Sequence, residues 1–393
     1  MNRLPKLPHL LGFALLTLFF NTAAFVTGYY VRAATAEDAA LPFPALGSRD
    51  AYPLLTQIRS LLADRYIGSL PDGRTLEYGA AHGLVGTLGD PYTVFVEPQP
   101  HEIETNSLSG EFGGIGVELS QTVSGEYILN PYPDSPAAAE GVQPADVLLA
   151  VDEVLIRPTM TIDEVAARVR GPVGSTVSLR LRHPGGAEAA IAVIRQTFTI
   201  PSVTYRLLAE DATIGLITIS RFSDKTPAET RHAAEELLAQ GAARLVVDLR
   251  GNGGGILESA VDTAALFLDG GVVMYETQKA GPERTYTAPA NTGPLASAPL
   301  AILVNGNTAS ASEILAGALL DRKRAALVGQ TTYGKGSVQL VYDLSDGSSL
   351  HVTAYLWYTP ARRQLDKSGL PPTLPADAGA ELARAVQLLQ TGQ

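Results

Sequence analysis

From Thr213 onward, strand-like runs alternate with helix-like ones. "IGLITIS", "RLVVDLR", "PLAILVN" and "AALVG" are separated by "PAETRHAAEELLAQG", "LESAVDTAALFL" and "ASEILAGALLDRK". The strand-like runs are apolar along their whole length, with no alternating polar face, so both of their faces must be covered. Strand, helix and strand in succession predict βαβ units on a buried, largely parallel sheet, which fixes the C-terminal half as an α/β core.

Upstream the pattern changes twice. From about Ala51 to Val96, "LLTQIRSLLADRYI" repeats apolar residues at three and four, and "TLEYGAAHGLVGTLGD" predicts a second helix closed by Gly89-Asp90-Pro91. Between about Ser107 and Phe198, short runs such as "GIGVELS", "DVLLAVDEVLI" and "TVSLRLR" are broken by Gly, Pro and Asp turns, with one helix, "TIDEVAARVR". The chain is therefore expected to be multidomain α+β. The segments are residues 1–36 as a targeting segment, 37–107 as a helical region, 108–197 as a β-rich domain, 198–362 as the α/β core, and 363–393 as a Pro-rich tail with a short helix.

The targeting segment is read from charge. Between Lys6 and Arg32 lie 25 residues without a charged side chain, enough to cross a hydrocarbon core as a helix. Basic residues precede the span, and Glu37 and Asp38 follow it, which favours the N-terminus inside and the rest of the chain outside the cytoplasm. An uncleaved anchor is favoured over a signal peptide by length, although "RAATA" offers small residues of the cleavage type. The absence of cysteine excludes a thiol enzyme and disulfides. A net charge of −11 argues against a nucleic-acid binder, which needs a basic surface.

Three loops carry the chemistry. "NTASASEI" (307–314) lies between a strand and a helix, where unpaired backbone amides can stabilise an oxyanion and a serine can act as a nucleophile. Ser310 and Glu313 also have the spacing of a capping box, and for this stretch alone capping is the more natural reading. "GQTTYGKGSVQ" (329–339) matches most of a phosphate-binding loop, but Gly336 stands where Ser or Thr should hold Mg²⁺, and a strand follows where a helix should. Lys335 between two glycines can be approached closely and, if buried, has its pKa lowered until the amine is a usable base, although by itself a solvated turn lysine is the simpler reading. The six histidines, His9, His82, His101, His183, His232 and His351, all lie outside such glycine-framed loops. The third loop is "VVDLRGNGGG", whose glycines can bring backbone N–H groups close to a developing negative charge.

A further glycine-rich turn, Gly113-Gly114-Ile115-Gly116, runs into the strand-like Val117–Leu119 and can aim consecutive amides into one concavity. With "DSPAAAEGVQPADVLLAVDEVLI" and the helix that follows, this stretch resembles a PDZ domain. The resemblance implies that a peptide C-terminus adds as a strand with its carboxylate on the loop amides. Gly114, Ile115, Gly116, Val117, Leu119, Val165 and Val169 would form that site. Pro144-Ala145-Asp146 departs from the family, which usually carries Gly before the Asp.

Taken together, "TASASEILAGALLDRKRAALVGQTTYGKGSVQ" and the PDZ-like insert resemble the C-terminal processing peptidases, or tail-specific proteases, across most of the chain from residue 50. The resemblance implies a crotonase/ClpP-like core and a serine endopeptidase using a Ser-Lys dyad. Ser310 would be the nucleophile, Lys335 the general base, and Gln339 the residue orienting that lysine. Gly254, or its neighbour Gly253, and Ala311 would hold the oxyanion. Ser312 is then a helix-start residue, and Asp321 is either required or a surface ion pair. Thr308, Tyr333 and "GLPPT" near Gly369 depart mildly from the family pattern. No metal or cofactor is expected. The expected partners are polypeptides recognised by their C-termini and, through the first segment, the membrane; the sequence is compatible with a homo-oligomer. The rival reading is a catalytically inactive PDZ scaffold on a crotonase-like domain.

Overall fold

The computed structural model describes residues 52–290 and 293–391. The expected membrane-spanning or signal segment lies outside these residues; among those described, no helix is long and apolar enough to cross a membrane. One compact unit ends at Leu76 and the other begins at Glu77. Helix α1 (Pro53–Arg65) belongs to the first, and α2 (Gly73–Gly86) runs across the boundary. Both helices fall where the apolar spacing places them.

The second unit begins with β1 (Val94–Val96) and α3 (Pro98–Ser109), after which β2 (Glu111–Gly114) leads into the β-rich domain. There follow β3 (Val117–Gln121), β4 (Tyr127–Pro131), α4 (Pro136–Ala139), β5 (Asp146–Val151), β6 (Val154–Leu155), α5 (Ile162–Val169), β7 (Thr176–Arg182) and β8 (Glu188–Ile194). The sheet order is β3-β4-β5-β7-β8, with β6 on β5, and β9 (Gln196–Thr199) returns antiparallel to β2. Helix α5 starts with a full capping box: Glu164 N–H donates to Thr161 Oγ1 at 3.2 Å, and Thr161 N–H donates to Glu164 Oε2 at 2.7 Å. Val165 and Val169 on its inner face join Leu129, Leu179 and Leu181 in the domain core. Ala145, at the family's glycine position, has φ 66°, so the turn needs a left-handed residue and accepts alanine under strain. Its N–H donates to Asn130 Oδ1 at 2.9 Å, which helps hold it there.

The α/β core contains β10 (Val203–Leu207), β11 (Ile214–Ile219), α6 (Thr226–Ala239), β12 (Arg244–Asp248), α7 (Leu257–Phe267), β13 (Gly271–Gln278), β14 (Arg284–Ala288), α8 (Pro294–Ser297) and β15 (Leu300–Val304). It continues with α9 (Ala311–Asp321), β16 (Ala326–Gly329), β17 (Ser337–Asp343), β18 (Ser349–Tyr358), β19 (Leu374–Pro375) and α10 (Glu381–Thr391). The main sheet has the order β10-β11-β12-β15-β16-β19 and is parallel from β11 onward. As expected of strands covered twice, β15 sends Leu300, Ile302 and Val304 into the core with α6, α7 and α9, and sends Ala301 and Leu303 to the face covered by α10. A second, antiparallel sheet has the order β1-β18-β13-β14, with β17 also on β18.

These pairings bear on two of the expected segments. Residues 363–393 are not a separate tail: β19 extends the main sheet, and Ala385 on α10 is buried in the core of its outer face. Arg250 fastens that helix by an ion pair with Glu381 at 2.8 Å. The region expected to be helical as far as residue 107 does end in a helix, α3, but it is interrupted by β1, which pairs with β18 of the core. Strands of two or three residues, such as β19 and β1, are too short to show a period in the sequence.

Candidate active site

Two loop ends meet beside the third. After β15, Thr308 Oγ1 donates to the Leu249 carbonyl at 2.9 Å, Ala309 N–H donates to the Asn252 carbonyl at 3.0 Å, and Gly251 N–H donates to Asn305 Oδ1 at 3.1 Å. The "RGNGGG" turn and the serine loop are thereby tied together strand to strand. Ser312 Oγ also donates to the Asn252 carbonyl, at 3.0 Å, and is fully buried. Its hydroxyl is occupied in structure, as expected of a helix-start residue.

Ser310 is the residue before the first turn of α9 and has φ 55° and ψ −120°. A non-glycine residue there costs about 1–3 kcal/mol and persists only where its surroundings enforce it. Such a sharp strand-to-helix turn exposes a nucleophilic hydroxyl while leaving helix N-terminal amides beside it. No sign of this strain is visible in the sequence. Gly254 explains part of it: at φ 109°, a Cβ on this residue would come within 2.8 Å of Ser310 Cβ and 3.1 Å of the Ala311 nitrogen. Only glycine allows that approach.

Glu313 is the residue the sequence underrated. It sits fully buried on α9, and its carboxylate accepts the Ser310 N–H at 3.0 Å, as the capping-box spacing predicts. The same carboxylate also accepts Gly334 N–H at 2.8 Å, Lys335 N–H at 2.9 Å and the Thr332 hydroxyl. One anion therefore fixes the backbones of both Ser310 and Lys335. Gly334 and Gly336 are needed for a further reason: side chains there would meet backbone atoms of residues 365–369 at under 3 Å. The Lys335 carbonyl accepts the Trp357 indole N–H at 3.0 Å.

Ser310, Ala311, Gly253, Gly255, Lys335 and Gln339 line one cavity of about 510 Å³. Burial pushes the Lys335 ammonium below its ordinary pKa, against the opposing carboxylates of Glu104 and Asp90. Its Nζ lies 5.0 Å from the Tyr92 ring centroid and makes no hydrogen bond to Ser310. Tyr92 itself is half-buried; burial and a hydrogen bond with Tyr333 raise its phenol to about 12. Nothing in "GDPYT" marked this tyrosine in the sequence.

Two expected partners are placed differently. Gln339 Nε2 donates to Ser337 Oγ at 3.0 Å and to Thr353 Oγ1 at 3.3 Å, rather than contacting Lys335. The Gly254 N–H is held by Asn252 Oδ1 at 2.9 Å, whereas its neighbour Gly253 lines the cavity. Asp321 is paired with Arg363 at 2.7 Å and accepts the Ala361 N–H at 2.8 Å, which makes it a clamp on the chain after β18.

A second groove, of about 360 Å³, lies between β3 and α5. Gly114, Ile115, Gly116, Val117, Leu119 and Val169 line it as expected. Val165 does not, because it faces the domain core with no exposed surface; Ile162 and Ala166 take its place on the groove side. Among the described residues β3 pairs only with β4, so its other edge is free. The N–H groups of Ile115 and Gly116 donate to no backbone carbonyl among the described residues. A Cβ at Gly116, which has φ 73°, would lie 2.4 Å from Ser135 Cβ.

A strained serine at a helix start, a half-buried lysine lining the same cavity and an apolar groove beside an open strand edge suit a serine-type peptidase with a peptide-binding module. Residues 213–376 match the peptidase family S41 and residues 127–183 match a PDZ domain. A carboxyl-terminal-processing protease of Picosynechococcus is 37% identical over 299 residues, covering 75% of this chain and 72% of that protein. One from Synechocystis is 36% identical over 320 residues, covering 79% and 74%. The solved structure of a protein assigned to the S41 proteases of Bacteroides fragilis shares the fold, with a TM-score of 0.51 at 14% identity over 85% of this chain and 94% of that one. The chain belongs to peptidase family S41, among the carboxyl-terminal-processing proteases, and is a serine-type peptidase carrying a PDZ domain.

Proposed function

We propose that Ser310 attacks the scissile carbonyl and that neutral Lys335 takes its proton. The Ala311 N–H and a glycine N–H from the 253–255 turn, Gly253 in the first place, hold the oxyanion. Lys335 then returns the proton to the leaving amine, and water hydrolyses the acyl-enzyme. The observation that carries this reading is Glu313, which binds the backbone N–H groups of both Ser310 and Lys335 and so holds nucleophile and base in one frame. Substrate C-termini are taken by the groove between β3 and α5 as an added strand, with the carboxylate on the Gly114–Gly116 amides. Residues 7–31 anchor the protease to the membrane with its catalytic part outside the cytoplasm.

The test is cleavage of an unstructured protein by the full chain in detergent, beside Ser310→Ala, Lys335→Ala and Lys335→Arg. All three variants should be inactive, the last because a guanidinium is no base at neutral pH. Equal cleavage by Ser310→Ala would refute the nucleophile, and full retention in Lys335→Arg would refute the base. An inactive scaffold has less support, since Ser310, the half-buried Lys335 and the Glu313 frame between them are all retained.

A further inference from the structure

Opposite Lys335, the cleft wall carries a cluster that acyl transfer does not use. His101 and Glu104, three residues apart on α3, face His351 on β18, and one donor atom from each lies within 4.8 Å of the others. Two imidazole nitrogens in this cluster, His101 Nδ1 and His351 Nε2, are buried without a hydrogen-bond partner. Leaving such groups unpaired forfeits their hydration without return, which native folds rarely tolerate without a partner. His351 Nε2 is already 3.3 Å from Glu104 Oε2 without hydrogen-bonding to it. That matches the roughly 3.3–3.4 Å between donors that a tetrahedral ion imposes when its bonds are about 2.0–2.1 Å.

The surroundings fit the same ligand. His101 turns its other nitrogen, Nε2, to Asp343 Oδ1 at 2.9 Å. A carboxylate on the remote nitrogen is how metal-bound histidines are oriented, since it fixes the tautomer and strengthens the donor. Two imidazoles and one carboxylate form a donor set for zinc-type ions, whereas Mg²⁺ and Ca²⁺ take oxygen. We propose that His101, Glu104 and His351 bind one divalent ion of the zinc class, as a site separate from the Ser310–Lys335 pair. Both Glu104 and His351 also line the catalytic cavity. Bound metal would therefore join α3, the last helix before the β-rich domain, to strand β18 at the edge of the cleft.

Zn²⁺ titrated into the metal-free full chain tests this, in a Ser310→Ala background to prevent self-cleavage and with a chromophoric chelator as competitor. One equivalent should bind, with Mg²⁺ failing to compete. His351→Ala and Glu104→Gln should each weaken binding by at least about 100-fold, and Asp343→Asn by about 10–100-fold, while His232→Ala leaves it unchanged. Thermal unfolding confirms that each variant is folded, and the isosteric change at the partly exposed Glu104 keeps the test open should His351→Ala not fold. Absence of a stoichiometric site, or unchanged affinity in folded Glu104→Gln, would overturn the proposal.

Discussion

The Lys335 ammonium nitrogen stands 5.0 Å from the centre of the Tyr92 ring and is not hydrogen-bonded to Ser310. An aromatic face favours the charged amine, whereas a general base must be neutral. Tyr92 therefore opposes the burial that lowers the lysine's pKa. Tyr92→Leu keeps most of the bulk and removes the ring's electrostatics. The acid limb of the kcat/KM pH profile should move to lower pH, with higher activity at neutrality. An unmoved limb would show that the ring has no influence on the amine.

Lys335 also links stability to pH. Its pKa is lower in the folded chain than in the unfolded one. Between the two values the unfolded chain binds more protons, so this group's contribution to stability rises with pH across that window and is least favourable below it. Lys335→Met removes the penalty. At neutral pH the variant should be inactive yet melt at a higher temperature, and the gain should shrink as the pH approaches the unfolded value of 10.5. A lower melting temperature at neutral pH would contradict this sign.

Glu313→Gln tests the shared frame. An amide offers one acceptor oxygen where the carboxylate offers two, and it turns an NH₂ toward N–H groups that need acceptors. Unfolding free energy should fall by about 2–4 kcal/mol, given that charged hydrogen bonds contribute about 1.5–3 kcal/mol each. A displacement of either loop on the order of 1 Å should lower kcat by about 100-fold. Denaturant unfolding and steady-state kinetics measure the two effects. Unchanged kcat in a destabilised variant would confine Glu313 to stability.

For the groove, Ala166→Glu places a charge among apolar residues on the side of α5 facing β3. Binding of a fluorescent peptide with an apolar free C-terminus should weaken by at least about tenfold, or about 1.4 kcal/mol. Amidating the peptide in the parent protein should have a similar effect. Retained affinity for the amide would remove the glycine loop as a carboxylate site.

How much of this was legible beforehand depended on the range of each interaction. The parallel sheet and α5 follow from local periodicity and capping, so "LVVDL" and "TIDEVAARVR" announce themselves. Ser310 and Lys335 stand out in the sequence only through the resemblance of their two loops, taken together, to those of a peptidase family; each loop alone reads as a cap or a turn. Glu313 was visible only as half of a capping box, because its other donors are about twenty residues away and their meeting depends on tertiary packing. Val165 was misassigned because a helix of eight residues has both a core face and a groove face, and apolar character marks both. Asn252 reads in the sequence as one more turn residue, yet its side chain accepts the Gly254 N–H and so occupies the amide that the resemblance puts forward as an oxyanion donor. His101 and His351 are 250 residues apart in sequence, and only the pairing of β1 and its neighbours with β18 brings them together.

Helix α10 has a consequence for an enzyme that works on chain ends. While Ala385 is sunk in the sheet face and Arg250 grips Glu381, residues 381–391 are helical and cannot lie as a strand beside β3. Lifting this helix away would uncover Ala301 and Leu303 on β15, the strand that leads directly into the Ser310 loop. The C-terminal helix and the candidate site therefore rest on opposite sides of one strand, and what loosens the first withdraws support from the second.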